Sequence, residues 1–164
     1  MHRQNGVRGD RGDVTTRSPA AGNEGTNERR DSFMKKRIMV VDDSRMMELQ
    51  IKKLLEGTEY EVAAYCENGE DAIARYDEVK PDVVTMDIIM PGIDGLEAAQ
   101  VLMYEHDEAR IIMISSLGGQ DMLQEVYGIG AQAVLFKPLT REALLAALKK
   151  TLAPTRAESK GPRT

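Results

Sequence analysis

Five side chains in this sequence could do chemistry together. Asp42 and Asp43 follow the apolar run Ile38-Met39-Val40-Val41, and Asp87 follows Val83-Val84-Thr85-Met86. Ser115 follows Ile111-Ile112-Met113-Ile114, and Lys137 follows Val134-Leu135-Phe136. Brought to one place, three carboxylates, a hydroxyl and an ammonium suit a hard divalent cation together with a phosphoryl group. The cation takes oxygen ligands, and cation and ammonium neutralise phosphoryl charge. Any one of these acids alone reads as an ordinary cap or turn former. Two adjacent acids after one run, a third after another and a Lys-Pro after a fourth go beyond capping.

The elements that must position them can be read from the same runs. Short apolar runs rich in β-branched residues read as strands buried on both faces of a parallel sheet. The carboxyl ends of such strands share one edge, where ligands bind. Between the runs the period turns helical. Met47, Ile51, Leu54 and Leu55 recur at helical spacing with Met46 flanking the same face, while Leu49 falls off the stripe. Ser44 or Asp43 can cap this helix and Gly57 ends it. A second strand is expected from Tyr60 to Tyr65, and Asn68-Gly69 leads into a helix with Glu70 and Asp71 in its first turn, closed by Pro81. The loop from Met90 to Gly95 launches a helix through Leu96, Ala99, Val101 and Leu102. A helix with Met122, Leu123 and Val126 follows Gly118-Gly119 and stops at Gly128 or Gly130. Ala133 to Phe136 forms the fifth strand, and a last helix carries Leu144, Leu145, Leu148 and Leu152 up to Pro154. Strict alternation predicts an α/β, three-layer, doubly wound (βα)5 sandwich around a five-stranded parallel sheet, flavodoxin-like, with right-handed crossovers.

Composition narrows the function classes. The chain has 164 residues, 41% of them hydrophobic and 30% charged, which fits one domain with tails. No apolar stretch approaches the roughly 20 residues of a membrane span, and the N-terminus lacks a secretory apolar core. A single cysteine, Cys66, excludes an internal disulfide framework, and two histidines, His2 and His106, cannot build a histidine-rich metal site. A cytoplasmic monomer is expected. Residues 1–33 carry six Arg against five acids and residues 152–164 carry three basic groups against one acid. That leaves 13 basic and 21 acidic groups in residues 34–151, a net charge of −8 without a basic stripe, which argues against nucleic acid as the partner.

Residues 1–33 have only Val7 and Val14 as aliphatic side chains longer than Ala, so they are expected to be a disordered N-terminal extension. Met34, directly before Lys35-Lys36-Arg37 and the first strand, is a candidate true start. The folded domain is expected over 34–152, with 153–164 a flexible tail. The tandem Arg-Gly-Asp triplets at 8–13 resemble an integrin-binding tripeptide, but Gly-rich low complexity accounts for them better.

Residues 38–44 (IMVVDDS), 81–95 (PDVVTMDIIMPGIDG), 112–116 (IMISS) and 130–138 (GAQAVLFKP) together resemble the receiver domain of two-component response regulators. The resemblance covers residues 37–150, and within the family it is nearest the single-domain chemotaxis (CheY-like) type. It implies that Asp87 is the phosphoacceptor, taking a phosphoryl group from a phosphohistidine on a histidine kinase. It implies that Asp42, Asp43 and Asp87 bind Mg²⁺ together with the backbone carbonyl of Ile89. Ser115 would supply a hydroxyl that moves to meet a phosphoryl oxygen. Lys137 would pair with that oxygen, across a cis Lys137-Pro138 bond. The implied output is protein binding through the face of the fourth helix, fifth strand and fifth helix. In the chemotaxis reading the target is the flagellar motor switch. In the family, side chains at the positions of Ile89 and Leu117 flank the approach of the hydrolytic water; both are apolar here, so self-dephosphorylation is expected to be slow, and a separate phosphatase or back-transfer to histidine would end the signal. With no helix-turn-helix or catalytic segment after Leu152, no enzymatic output beyond self-phosphorylation and self-dephosphorylation is expected.

Some positions depart from the chemotaxis pattern. Val134 stands where the family often has a switch aromatic, and Leu139 stands where Phe is common. Phe136 is expected in the core, with a place on the output face as the alternative, His106 on the solvated surface, and Cys66 partly buried near the end of the second strand. The methionines, Met46, Met47 and Met90 among them, are expected to be packing. A haloacid dehalogenase-type phosphohydrolase would need an acid at Ile89 and a cap domain. A flavodoxin-like cofactor carrier would need a phosphate loop where Asp42-Asp43 stand, and aromatics to stack on the ring. A phosphorelay intermediate, handing the phosphoryl group to another histidine protein, keeps the fold and changes only the wiring.

Overall fold

The computed structural model describes residues 35–154. The expectations for residues 1–33, for Met34 as the start and for the chain past 154 lie outside the described residues. Within them, strands and helices alternate: β1 Lys36–Val41, α1 Arg45–Leu54, β2 Tyr60–Cys66, α2 Gly69–Val79, β3 Val83–Asp87, α3 Gly95–Glu105, β4 Ile111–Ser115, α4 Gln120–Gly128, β5 Ala133–Phe136 and α5 Arg141–Leu152. The strands form one sheet in the order β2-β1-β3-β4-β5, every neighbouring pair parallel. The chain steps outward from β1 to β2, then returns to the other side of β1 as β3. The crevice between the carboxyl ends of β1 and β3 is therefore where strand order reverses, the usual place for a ligand in an open α/β sheet.

The apolar runs are unbroken because alternate residues face different layers and both layers are covered. Ile38, Val40, Ile112, Ile114 and Leu135 pack on Met47 and Ile51 of α1 and on Leu144 and Leu148 of α5. Met39, Val41, Val84, Met86, Ile111 and Met113 pack on Ala72 and Tyr76 of α2, Ala98 and Leu102 of α3 and Val126 of α4. Each fully buried Leu, Ile or Met contributes about 1.5–3 kcal/mol. The β1–β2 pairing slips between Ile38 and Met39, so Ala63 is an extra residue on β2. After the slip Ala64 and Cys66 share the layer of Met39 and Val41, and Tyr65 packs in the other.

Most helix starts follow their sequence signals. The Asp71 N–H donates to Asn68 Oδ1 at 2.7 Å, the Glu97 N–H to Asp94 Oδ1 at 2.8 Å and the Ala143 N–H to Thr140 Oγ1 at 3.2 Å. The start of α1 corrects the expectation of a Ser44 or Asp43 cap. Ser44 occupies the N-cap position without a side-chain cap bond. Its own N–H donates to Asp42 Oδ1 at 2.8 Å. Gly95 is required by space: its N–H donates to the Ile88 carbonyl at 2.8 Å, and a Cβ there would overlap the Asp87 carbonyl oxygen. The first turn of α3 is thus seated on the end of β3.

Four side chains depart from expectation. Phe136 is 44% exposed, because it ends β5 beside α4, which buries only Val126. Met46 is 72% exposed, since a residue next to the α1 stripe has already turned away from the sheet. His106 is packed: its side chain is 13% exposed and its ring stacks on Tyr76 with centroids 4.2 Å apart. Cys66 is more deeply buried than expected, near 1% exposure. Leu139, Met47 and Met90 are buried as expected, and Leu49 is exposed.

Candidate functional site

Four strand ends deliver the site. Asp42 follows β1 and is fully buried, Asp43 beside it is exposed, and Asp87 closes β3 and is buried. Carboxylate oxygens of the three lie within 4.8 Å of one another. Lys137, following β5, reaches across β4 to them. Its Nζ donates to Asp42 Oδ2 at 3.1 Å and to Asp87 Oδ2 at 3.3 Å. The Lys137–Pro138 peptide is cis. Asp42 is held at every polar group: its N–H donates to the Cys66 carbonyl at 3.1 Å, its carbonyl accepts the Tyr65 hydroxyl at 2.8 Å, and its two carboxylate oxygens accept from Ser44 N–H and Lys137. Asp43 lines an open cleft of about 660 Å³ with Glu67, Asn68, Glu70, Asp71, Pro91 and Gly92.

The electrostatics follow from crowding. Burial, and then the neighbouring Asp42 charge, raise the Asp87 pKa above the ordinary carboxylate value. Lys137 and the Ile89 N–H, which hydrogen-bonds the carboxylate, pull the other way without cancelling the rise. Burial works to lower the Lys137 pKa, and the hydrogen bond and charge of Asp42, with those of Asp87, overcome it so that the ammonium is stabilised. Burial, then Glu67 and Asp42, raise the Tyr65 pKa, so its hydroxyl remains a donor. One ammonium against three carboxylates leaves an excess of two negative charges in a partly buried, all-oxygen donor set. Such an excess fits a divalent cation of the hard class.

The other expected residues take these places. Ser115 ends β4 and is buried, but its hydroxyl donates to the Leu117 carbonyl at 2.6 Å and accepts the Leu117 N–H at 3.0 Å, so it is engaged with its own loop. Ile89, two residues past Asp87, and Leu117, two past Ser115, are exposed, at 55% and 63%. Two polar residues near the site escaped the sequence reading. Tyr65 reaches Asp42 from 23 positions away, and no local pattern announces that contact. Glu48 is buried with Oε1 2.6 Å from Lys52 Nζ. The i,i+4 charge pair is visible in sequence, whereas its burial is not.

Among the described residues no helix is long and apolar enough to cross a membrane. The sequence model of one family, the response regulator receiver domain, matches residues 38–149. The chain is 41% identical over 114 residues to a chemotaxis protein CheY of Listeria monocytogenes, covering 70% of this chain and 96% of that protein. It is 41% identical over 119 residues to a chemotaxis protein CheY of Bacillus subtilis, covering 73% and 99%. Among solved structures it is similar to the CheX-CheY-BeF3-Mg²⁺ complex from Borrelia burgdorferi, with TM-score 0.71, 28% identity and coverage of 76% and 95%. It is also similar to the response regulator domain of Thermotoga maritima CheB, with TM-score 0.68, 29% identity and coverage of 74% and 98%.

Proposed function

The chain belongs to the response regulator receiver domain family, and from that premise we propose that it is a signalling protein phosphorylated on Asp87 by a histidine kinase. The observation that carries this reading is the convergence of Asp42, Asp43 and Asp87 within 4.8 Å, with Lys137 Nζ bonded to two of them. The Asp87 carboxylate attacks the phosphorus of a phosphohistidine. An O–P bond forms, the N–P bond breaks, and the imidazole leaves and takes up a proton. A Mg²⁺ ion held by Asp42, Asp43, Asp87 and the Ile89 carbonyl would neutralise charge on the phosphoryl oxygens. Lys137 is already aimed at Asp87 and moves to a phosphoryl oxygen as that group arrives. Ser115 gives up the Leu117 carbonyl and donates its hydroxyl to another. Two soft links are thereby rearranged, and the surface beyond Ser115 is rearranged with them.

That surface supports an output by protein binding. Leu117 in the β4–α4 loop, Tyr127 on α4 and Phe136 on β5 are exposed. The target is a partner protein, in the chemotaxis reading the flagellar motor switch, and the setting is the cytoplasm, with a receiver domain over residues 34–152 acting as a monomer. The chain is its own substrate and turns over no other. A second reading is a phosphorelay intermediate. The apolar Ile89 and Leu117 favour it, because neither can hydrogen-bond a hydrolytic water and the phosphoryl group then survives long enough to be handed on. A test of the main reading is incubation with Mg²⁺ and acetyl phosphate, followed by mass spectrometry of the modified peptide. Label should sit on Asp87, require Mg²⁺ and vanish in Asp87→Asn, whose amide is no nucleophile. Undiminished labelling of that variant overturns the assignment.

A further inference from the structure

Asp42 and Asp43 are adjacent in sequence yet do different things: one carboxylate is buried against Lys137 and the other faces the open cleft. Two neighbouring like charges would prefer to splay apart, so the peptide between them must be held. Its carbonyl, that of Asp42, accepts the Tyr65 hydroxyl at 2.8 Å. Tyr65 is itself fixed. It lies on β2 just past the extra residue Ala63, which turns its ring to the α1 layer. There the Arg45 guanidinium sits over the ring, 5.6 Å from its centroid. Arg45 in turn lies 3.5 Å from Glu48, whose other oxygen is 2.6 Å from Lys52. The Tyr65 main-chain carbonyl accepts from Arg75 Nη1 at 2.8 Å, tying the residue to α2 as well.

We infer that Tyr65 is a positioning residue for the Asp42–Asp43 pair: its hydroxyl orients the joining peptide so that both carboxylates stay aimed at one divalent cation. This rests on the metal reading of the site given above. Groups that orient metal ligands without touching the metal commonly change affinity by 10–100-fold when removed. Tyr65 acts on two ligands through one peptide.

The test uses the full chain and its Tyr65→Phe variant, which keeps the ring and the Arg45 contact and loses only the donor. Mg²⁺ is titrated by calorimetry and by melting temperature. The Mg²⁺ dissociation constant is expected to rise about tenfold. Labelling by acetyl phosphate at saturating Mg²⁺ is expected to stay within about twofold of wild type, since the Asp87 nucleophile is untouched. A dissociation constant within about twofold of wild type overturns the inference, even if the melting temperature falls, because a merely structural Tyr65 would lower stability alone. A wild-type protein that ignores Mg²⁺ overturns the metal reading and the inference with it. Should Tyr65→Phe not fold, ring-labelled tyrosine NMR on the wild type decides: Tyr65 and the Asp43 amide should shift together with one Mg²⁺ midpoint, and a Tyr65 signal that stays still overturns the inference.

Discussion

Gly95→Ala asks whether the seat of α3 on β3 holds the site. A Cβ at 95 would overlap the Asp87 carbonyl oxygen and come within 2.9 Å of Ile88 Cα. Both obstacles are backbone, so no side chain can swing aside. The first turn of α3 must back away from β3, which stretches the bond from Gly95 N–H to the Ile88 carbonyl at 2.8 Å. Overpacking of this kind costs about 1–3 kcal/mol, and a lost buried hydrogen bond adds about 1 kcal/mol. A loss near 3 kcal/mol corresponds to a melting temperature lower by roughly 10–15 °C for a domain of this size. Because the crowded backbone is that of Asp87, acetyl phosphate labelling should slow as well. Gly128→Ala is the control, since nothing lies within 4 Å of a Cβ there and α4 gains a better helix former. Calorimetric unfolding with a parallel labelling time course measures both effects. If Gly95→Ala melts within about 3 °C of Gly128→Ala and labels at the same rate, the close approach of α3 to β3 is the wrong account of this glycine.

Three further outcomes are expected. Asp43→Ala removes one of three mutually repelling carboxylates, so apo stability should hold or rise while the Mg²⁺-dependent gain in melting temperature disappears; a normal Mg²⁺ response would put the metal elsewhere. Replacing Ile89 by Asn and Leu117 by Glu offers a hydrolytic water two polar neighbours, and decay of the phosphorylated protein after donor removal should speed up roughly tenfold, equivalent to about 1.4 kcal/mol in the transition state. Equal decay rates in wild type and double variant would show that the apolar rim does not limit hydrolysis. A chain beginning at Met34 should match the full chain in melting temperature and labelling rate, and a deficit above about 1 kcal/mol by denaturant unfolding would show that residues 1–33 contribute to the fold.

The parts legible in sequence were those set by local periodicity and chain punctuation. The run ending at Asp87 reads as a strand buried on both faces, and Asp42, Asp87 and Lys137 stand at strand ends because strand ends are where the runs stop. What stayed hidden depends on partners distant in sequence. His106 sits in a charged stretch that reads as surface, yet Tyr76 of α2 comes to stack on it. Phe136 ends an apolar run that reads as core, but α4 is too short and too thinly apolar to cover it. The slip at Ala63 is invisible in a run of strand-forming residues, and it decides which layer receives Tyr65. Ser115 was placed correctly as a strand end, while the bond of its hydroxyl to Leu117 depends on how the following loop turns.

The reach of Lys137 has a consequence for how the protein is made. Asp42 and Lys137 are separated by 95 positions, and two strands lie between theirs in the sheet. Synthesis proceeds at about 5–20 residues per second, so roughly 5–20 s pass between the two leaving the ribosome's catalytic centre. During that interval β1 and β3 can meet only by bringing Asp42 and Asp87 together without their ammonium. Pairing of the early strands thus carries an electrostatic cost that Lys137, or a divalent cation, offsets. The charge balance of the β1–β3 crevice is thus completed only by a side chain of the last strand, or by a cation bound among the carboxylates.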